Sequence, residues 1–535
     1  GLGDVYKRQY QGHFYEFCFM PQYNADLNPE HQRLRLDYMY YYILDFMGFE
    51  ERDYTESHLY LVGHFAGVDV SALRNWQGIF KKRSEHDKVI LQNKQVLYTG
   101  SPMRLNAYSK FNNHKHKLML DVRDTMGISS PKTTLDSLGS ALGVPKLSTE
   151  KLDEQDGKPL NHYKMNMDEL YRDHHDFFID YALMDARISY IWYMEFCKKF
   201  GDSLTVSQAS ARKVREIVSK KVKNALSDKA YQNLLVEIQQ CASLKDTKAA
   251  QRYVYDYLIR GFYGDKDNFA AFKNTNHKPW YGEIASKCYY GGHNECYTHG
   301  IHHEKTFDID IKQAYMIALL SMHDVDFTKP PDIFDKGHVL RLSDIPDPTR
   351  FGFGYIEFEF PKDTYAPNIP VRSSKKDGAS PVFPLEGKTY ACTPDVYAGL
   401  KQGARVKVLG NGFIMPQMAH TRFLAETIEE MMQQREEDKQ KYGKGSAFEL
   451  LDKIVNNGFY GKTGQGVKGK KERDFLTGER EEVEYCQVSD PCLASMITGI
   501  VRMLLSMITQ SILESGYKVY SSTTDGLITN MPKAK

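Results

Sequence analysis

The order of apolar and polar positions predicts strands followed by helices over the first part of the chain. His58–Trp76 has the pattern of a buried strand, a loop and the start of a helix, and Lys117–Met126 predicts a further strand. Tyr38–Met47 and Phe177–Phe200 carry apolar residues at helical spacing and predict helices. Because strands here precede helices, we expect an α/β domain up to about residue 200.

The rest of the chain has a more mixed pattern. A helix-rich connector is expected to about residue 280, and α and β segments alternate after it. The patterns predict, in order, a strand running into a helix at Phe307–Leu319, short β-like runs at 351–410, charged helices at Thr421–Gly461 with a break at Tyr442–Gly445, a hairpin at Lys462–Glu484, and an apolar helix at Ala494–Gly516.

Composition narrows the class of protein. The 535 residues exceed the size of one ordinary core, so several domains are expected. A hydrophobic content of 41% and a charged content of 26% are typical of a soluble globular protein. The eight cysteines include no CxxC pair, which favours a reducing compartment: the cytoplasm, or the host cytoplasm if the protein is viral. No apolar run is expected to span a bilayer, so we expect no membrane partner.

Charge does not by itself indicate a ligand, because the formal net charge is only +1. Two basic segments, Lys220–Lys229 and Lys462–Arg473, could contact a polyanion. A solvated charged face is the simpler explanation for each segment alone. The 36 tyrosines would suit base stacking, and they would equally suit ordinary packing.

Both ends of the sequence have a non-native character. GLGDVYKRQ, residues 1–9, resembles adapter-derived sequence at the edges of fragments assembled from environmental DNA, and we exclude it from the fold prediction. We therefore expect the native N-terminus to be missing. The sequence stops soon after Asp525, so we expect the native C-terminus to be missing too.

The segment KIVNNGFYGK combines a cation, an amide and an aromatic ring at helical spacing. Lys453 and Asn457 are four positions apart and share a helix face, and Tyr460 lies three positions further on. These groups could hold a triphosphate and stack against a base. A surface helix ending at Gly461 is the alternative reading of this segment alone.

Three segments together resemble the motifs of family B DNA polymerases. DIKQAY at Asp310–Tyr315 resembles motif A, KxxxNxxYG at Lys453–Gly461 resembles motif B, and SSTTD at Ser521–Asp525 resembles motif C, usually YxDTD. Their order and spacing suit that family. In motif C, Thr523 replaces the first of the two aspartates, and Asp525 matches the second.

Further segments extend the resemblance to the protein-primed branch of phages and linear plasmids. YYGG at Tyr289–Gly292 resembles the YxGG element, which implies DNA contacts by Tyr289, Gly291 and Gly292. The two insertions of that branch would correspond to residues 322–422 and 463–490. In that branch the insertions help a terminal protein to act as primer, so a terminal protein is an expected partner beside the DNA template-primer and dNTPs.

An exonuclease-like region is expected upstream. YALMD, with Tyr181 and Asp185, fits the Yx3D signature of a DnaQ-like 3′–5′ exonuclease. Asp69 in VGHFAGVD fits the second motif, with His64 or Phe65 where an Asn is expected. No DxE motif precedes Asp69. The simplest explanation is that this motif was lost together with the native N-terminus.

The resemblance implies a multidomain fold of α/β and α+β character, with a DnaQ/RNase H-like exonuclease domain before a right-hand polymerase palm and fingers. The thumb is expected to be missing. The implied division is a truncated exonuclease-like domain at 10–205, a helical connector at 206–285, the first part of the palm at 286–321, the first insertion at 322–422, fingers at 423–462, the second insertion at 463–490, and the second part of the palm at 491–535.

The resemblance also implies a two-metal nucleotidyl transfer with two Mg²⁺ or Mn²⁺ ions, which hard oxygen ligands would hold. Thr523 removes local negative charge, which could weaken metal binding. The resemblance implies that Asp310 and Asp525 are the catalytic metal ligands, together with the Ile311 carbonyl. It implies that Lys441 and Lys453 contact the triphosphate, that Tyr315 excludes a 2′-hydroxyl, and that Asn457 and Tyr460 contact the nascent base pair. The implied exonuclease residues are Asp69, Tyr181 and Asp185.

Three other readings stay open. A catalytically inactive nucleic-acid-binding homologue would explain Thr523 and the absent DxE, although the carboxylates and lysines together argue against it. A nuclease alone would leave the better-matched polymerase half unexplained. A zinc site is the third reading, and its candidate ligands are Cys288, His293, Cys296, His299, His302 and His303, whose spacing matches no standard finger.

Overall fold

The structure is a computed structural model. It describes residues 4–10, 13–20, 32–35, 39, 42–43, 46, 56–66, 69, 72–74, 89–92, 95–98, 103–108, 115–130, 133–260, 278–326, 330–372, 381–410, 413–415, 421–467, 471–474, 480–482 and 485–532.

The described helices lie where apolar residues recur at helical spacing. They are α1 (Leu135–Leu142), α2 (Glu150–Gln155), α3 (His162–Met165), α4 (Met167–Asp173), α5 (His175–Phe200), α6 (Val206–Ala225), α7 (Asp228–Cys241), α8 (Thr247–Ala250), α9 (Lys278–Cys288), α10 (Ala314–Ser321), α11 (Thr393–Lys401), α12 (Phe423–Tyr442), α13 (Ala447–Thr463) and α14 (Pro491–Glu514).

The described strands are mostly short. They are β1 (Asp4–Tyr10), β2 (His13–Phe19), β3 (Glu56–Gly63), β4 (Val89–Gln92), β5 (Gln95–Tyr98), β6 (Met103–Tyr108), β7 (Lys115–Asp124), β8 (His293–Cys296), β9 (Phe307–Asp310), β10 (Asp332–Ile333), β11 (Val339–Leu340), β12 (Phe353–Glu359), β13 (Val371–Arg372), β14 (Pro381–Val382), β15 (Glu386–Cys392), β16 (Arg405–Val408), β17 (Ile414–Met415), β18 (Lys471–Asp474), β19 (Arg480–Glu482), β20 (Val519–Thr524) and β21 (Gly526–Thr529).

The chain divides into two compact units, and each unit combines segments that are distant in sequence. Unit 1 comprises Gly1–Ala209, Arg435–Val455 and Lys471–Glu482, and unit 2 comprises Ser210–Gln434, Asn456–Lys470 and Val483–Lys535.

Unit 1 contains the predicted α/β arrangement. Strand β7 pairs in parallel with β3 and antiparallel with β6, and the β3–β7 register ends at the Gly63–Asp124 pair. Helix α5 packs against β3 and buries one apolar face that includes Ile188, Trp192 and Phe196. That face explains why the sequence pattern of this segment already predicts a helix.

Unit 1 contains two further sheets. Strands β1 and β2 form an antiparallel pair. Residues Asp4–Gln9 therefore belong to a strand, although residues 1–9 were excluded from the fold prediction as non-native. Strands β18 and β19 form the predicted hairpin of the second insertion, and β18 pairs with β4 in a sheet of order β19-β18-β4-β5.

The central feature of unit 2 is an antiparallel sheet of order β8-β20-β21-β9. Helix α14 packs against β20 and shares a core with the sheet, built from Leu505, Ile512, Val519 and Leu527. The predicted strand-to-helix segment after Phe307 is confirmed as β9 followed by α10.

Helix α14 corrects one expectation from the sequence. By length and composition it is apolar enough to cross a membrane, whereas no such run was expected. In the structure 83% of its most apolar window is buried inside the protein. The apolar character of α14 is therefore matched by its packing in the core of unit 2.

The first predicted insertion forms a second sheet in unit 2. Its order is β10-β17-β12-β16-β11, and β15 also pairs with β12. A buried cluster that includes Ile356, Phe358, Val406 and Val408 fills the space beneath it. From Gly354 onward, buried residues alternate with more exposed ones along β12, as a half-buried strand requires.

Most of the other element predictions are confirmed. The break predicted near Tyr442–Gly445 is the turn between α12 and α13, and the connector is helical in α6 and α7. Most of Tyr38–Met47 lies outside the described residues. The division into domains stays a prediction.

Candidate active site

Two aspartates of unit 2 come together where β9 meets the β20–β21 turn. Asp310 is the last residue of β9 and lies opposite Gly526 in the β9–β21 register. Asp525 occupies the turn immediately before Gly526, and its carbonyl oxygen accepts a 2.9 Å hydrogen bond from the Ile311 amide. Residues that are far apart in sequence thus become neighbours through one antiparallel strand pair.

The two carboxylates repel each other. Burial raises the pKa of Asp525, and the nearby charge of Asp310 raises it further. No side-chain cation and no side-chain hydrogen bond to either carboxylate is found among the described residues. Two neighbouring carboxylates without a protein cation form an oxygen donor set of the kind that Mg²⁺ or Mn²⁺ prefers. The residues present therefore fit a divalent metal ion.

The turn that carries Asp525 has an unusual backbone. Thr524 adopts φ +60°, a left-handed conformation that β-branched residues rarely adopt. Its hydroxyl donates a 3.2 Å hydrogen bond to the Asn294 side chain, and the Asp525 amide donates one of 2.7 Å to the Thr523 carbonyl. Such conformations cost about 1–3 kcal/mol and persist where the surroundings enforce them.

The second glycine of YYGG lies directly against this turn. A Cβ atom on Gly292 would lie 2.7 Å from Thr524 Cα, which is closer than real Cβ contacts allow. Because only glycine permits this approach, the YYGG segment and the turn before Asp525 are packed backbone to backbone.

An aromatic pair accompanies the carboxylates in unit 2. The rings of Tyr315 and Tyr460 stack at a centroid distance of 3.8 Å and an interplanar angle of 7°. Burial raises the pKa of Tyr315, and the Asp525 charge adds to this shift. The structure thus brings together one tyrosine from the motif A segment and one from the motif B segment.

A buried arginine that sequence analysis did not single out fixes the YYGG backbone. The Arg502 guanidinium donates hydrogen bonds to the carbonyls of Tyr290 and Gly291 at 3.1 and 2.8 Å. It also forms a bidentate ion pair with Asp395 at 2.8 and 2.7 Å, and both side chains are fully buried. Tyr289, the first residue of YYGG, is partly buried, and burial raises its pKa to about 12.

The remaining nucleotide-site candidates are surface residues. Lys441 on α12 and Lys453 on α13 belong to unit 1, and both are exposed. Asn457 belongs to unit 2 and is also exposed.

The exonuclease candidates lie in unit 1 and include a partner that the sequence did not indicate. The Lys146 ammonium donates a 2.8 Å hydrogen bond to Asp185 and lies 4.7 Å from the centre of the Tyr181 ring. Burial raises the pKa of Asp185, while the Lys146 contact lowers it. Both Tyr181 and Asp185 lie on α5, one helical turn apart.

The other exonuclease candidate lies at the end of β3. A Cβ atom on Gly63 would lie 2.5 Å from Asp69 Oδ2, so the Asp69 side chain folds back over the strand end. Phe65 has φ +72°, a conformation that suits the Asn expected in this region better than a Phe. The buried Asp124 accepts a 3.0 Å hydrogen bond from the Phe65 amide. Sequence analysis missed Asp124 because this residue lies at the end of a different strand, β7.

The zinc reading receives no support. Among the residues that the structure describes, which include all of 288–303, no group of three His, Cys, Asp or Glu side chains could hold a metal ion. His293 and Cys296 are three positions apart on β8, so their side chains point to opposite faces of the sheet.

We predict that Gly526→Ala lowers nucleotide incorporation without unfolding the protein. A Cβ atom here would lie 2.2 Å from Asp310 Oδ1, so the exposed carboxylate must turn away. A misplacement of about 1 Å can cost about a hundredfold in rate. Steady-state incorporation and thermal unfolding would be compared with Gly387→Ala, because a Cβ on Gly387 would lie no closer than 3.4 Å to its neighbours and Gly387 has no assigned role. An unchanged rate for Gly526→Ala would contradict the assignment of Asp310.

A family model described as DNA polymerase type B, organellar and viral, matches residues 174–496. Since the match extends over more than half of the sequence, the chain belongs to this family. The resemblance that rests on the three motifs is thereby confirmed.

Individual proteins give a consistent picture. The chain is 27% identical over 425 residues to the primer-independent DNA polymerase PolB of Escherichia coli, and the match covers 77% of the chain but 44% of that protein. The chain therefore spans less than half the length of this relative.

Solved structures show the same fold. Phi29 DNA polymerase complexed with primer-template DNA and incoming nucleotide substrates matches with a TM-score of 0.53 and 13% identity, over 93% of the chain and 75% of that protein. An orthorhombic crystal form of the same polymerase matches with a TM-score of 0.54 and 13% identity, over 93% and 74%. The likeness supports a family B polymerase fold, while the order of the domains stays a prediction.

Proposed function

We propose that the chain is a template-directed DNA polymerase that transfers nucleotides from dNTPs to a growing strand with the help of two divalent metal ions. The observation that carries the proposal is the Asp310–Asp525 pair, two neighbouring carboxylates that no described cation neutralises. Membership of the type B family supports the same conclusion. The test is metal-dependent incorporation of dNTPs on a primed template.

Asp310 and Asp525 would hold the metal ions, with the Ile311 carbonyl as a further oxygen ligand. When bound, such ions lower the pKa of the primer 3′-hydroxyl and neutralise charge on the phosphates. The hydrogen bond from the Ile311 amide to the Asp525 carbonyl fixes the two strand ends relative to each other. Thr523 is exposed and offers its carbonyl to the Asp525 amide, so it supports the turn without adding a carboxylate.

Other side chains would bind and orient the dNTP. Lys441 and Lys453 would pair with the triphosphate as exposed point charges. Tyr315 would pack under the sugar and exclude a 2′-hydroxyl, and its stacking on Tyr460 supports this role because it limits rotation of both rings. Asn457 and Tyr460 would line the nascent base pair.

The proposed macromolecular partner is a DNA template-primer. Tyr289, Gly291 and Gly292 would contact the template strand, and the hydrogen bonds from Arg502 support this role by fixing the Tyr290 and Gly291 carbonyls. The cytoplasm, or the host cytoplasm for a viral protein, is the proposed location.

The start of synthesis has two candidate modes. The protein-primed branch implies a terminal protein as primer. The Escherichia coli relative is named primer-independent, which favours a start without any primer. Synthesis on an unprimed single-stranded template by the purified chain alone would support the second mode. Synthesis that requires an annealed primer or an added protein would exclude it.

We predict that the chain has little or no 3′–5′ exonuclease activity. The sequence has no DxE pair before Asp69, and the Asp185 carboxylate is held by Lys146. The measurement is degradation of a 5′-labelled single strand with Mg²⁺, with Asp185→Asn as the matched variant. Robust degradation by the chain that Asp185→Asn abolishes would show that the prediction is wrong.

A further inference from the structure

Helix α5 ends in a lysine that contacts two helices from a distant part of the sequence within unit 1. Lys199 donates hydrogen bonds to Asp438 on α12 and to Asp452 on α13, the latter at 2.7 Å. Its ammonium also lies 3.4 Å from the Phe448 carbonyl at the start of α13. One cation therefore joins three elements: the end of α5, the end of α12 and the middle of α13.

The contact is shielded from water. The Asp452 side chain is fully buried, and the side chains of Lys199 and Asp438 are 18% and 12% exposed. Exposed ion pairs contribute little, because water and salt screen them, whereas removing one partner of a buried pair leaves an uncompensated charge. Loss of Lys199 would therefore leave two shielded carboxylates without their cation, which loss of an exposed lysine would not do.

The two anchored helices also carry the candidate triphosphate lysines. Lys441 follows Asp438 by three positions on α12, so the two side chains lie on neighbouring turns of one face. Lys453 is the residue directly after Asp452 on α13. A second ion pair, Arg435–Glu449 at 2.7 Å, ties α12 to α13 without involving α5.

We propose that Lys199 is a positioning residue that anchors the dNTP-binding helices α12 and α13 to helix α5. The proposal rests on the proposed polymerase function. Lys199 itself contacts no substrate. It acts by fixing the backbone from which Lys441 and Lys453 extend. Helix α5 also carries the exonuclease candidates Tyr181 and Asp185.

The test compares Lys199→Met with Lys199→Arg and Lys198→Met. Lys198 is the matched control, because its side chain is 75% exposed and contacts Glu195 at 4.0 Å on the same helix. We expect Lys199→Met to raise the KM for dNTP about three- to thirty-fold with a smaller change in kcat. Effects of about this size are typical of residues that influence a binding site without contacting its ligand. Lys199→Arg is expected to restore most of the KM, and Lys198→Met to leave it unchanged.

A triple variant separates positioning from stability. Lys199→Met with Asp438→Asn and Asp452→Asn removes the unpaired charges, so the triple variant should regain much of the stability that Lys199→Met alone loses. The proposal expects the KM to stay raised in this variant. A KM that returns to the wild-type value would overturn it, as would equal effects of Lys199→Met and Lys198→Met.

Hydrogen–deuterium exchange gives a readout without catalysis. The amides of 436–452 should exchange faster in Lys199→Met and in the triple variant than in Lys198→Met. If the wild-type chain incorporates no dNTP, the proposed function is wrong. Hydrogen–deuterium exchange alone then tests whether Lys199 anchors α12 and α13. Unchanged exchange would then overturn the anchoring role, and faster exchange would confirm it.

Discussion

Asp310→Asn is expected to abolish nucleotide incorporation while leaving the fold intact. The substitution removes one of the two neighbouring carboxylates at the junction of β9 with the β20–β21 turn, and nearly the same volume is kept. Loss of a single electrostatic stabiliser typically costs about 10²–10³ in rate, and loss of a metal ligand should cost at least that much. Single-turnover incorporation on a primed template measures the effect.

Asp308→Asn is the matched control for this prediction. Asp308 is an exposed aspartate two positions earlier on the same strand, and it lies opposite Ile528, away from the Asp525 turn. We expect it to keep nearly full activity. Equal loss in both variants would mean that strand β9 tolerates no change in charge, and the specific assignment of Asp310 would fall.

Arg502→Met is expected to cause the largest loss of stability in unit 2. It would leave the fully buried Asp395 without its bidentate partner and remove the donors to Tyr290 and Gly291. Breaking a buried ion pair from one side costs about 3–5 kcal/mol of the free energy of unfolding. Because a chain of two units need not unfold in one step, the measurement is native-state hydrogen exchange of α14 amides in urea.

Two comparisons make the stability prediction specific. Arg405→Met removes an exposed arginine of unit 2 and should change the stability by no more than about 0.5 kcal/mol. Arg502→Met combined with Asp395→Leu removes both buried charges and should recover much of the loss, because apolar replacement of a buried pair is often tolerated. A loss in the double variant as large as in Arg502→Met would contradict the ion-pair explanation.

The sequence predicted those features that local patterns encode. The apolar spacing of α5 and α14 defines helices, and the break between α12 and α13 coincides with exposed glycines at 443 and 445. The candidate residues Asp310, Tyr315, Tyr460 and Asp525 were found through motif order and spacing. The structure brings the aspartates together at one strand pair and the tyrosines into one stack.

The missed features depend on contacts between segments distant in sequence. Lys146 pairs with Asp185, Arg502 with Asp395, and Lys199 with two helices more than two hundred residues away. An isolated lysine or arginine in a sequence gives no sign of such a partner, because its environment is set only by tertiary packing. By length and composition α14 could cross a membrane, contrary to the expectation from the sequence, yet most of its apolar window is buried and its Arg502 is buried and paired.

The most direct test of the central claim is addition of one nucleotide to a labelled primer, with Mg²⁺ and each dNTP supplied separately. The wild-type chain should add only the nucleotide complementary to the template, EDTA should stop the reaction, and Asp525→Asn should show none. No addition by a folded chain that binds DNA would contradict the account and favour an inactive nucleic-acid-binding homologue. Equal addition by Asp525→Asn would show that the Asp310–Asp525 pair is not the catalytic centre.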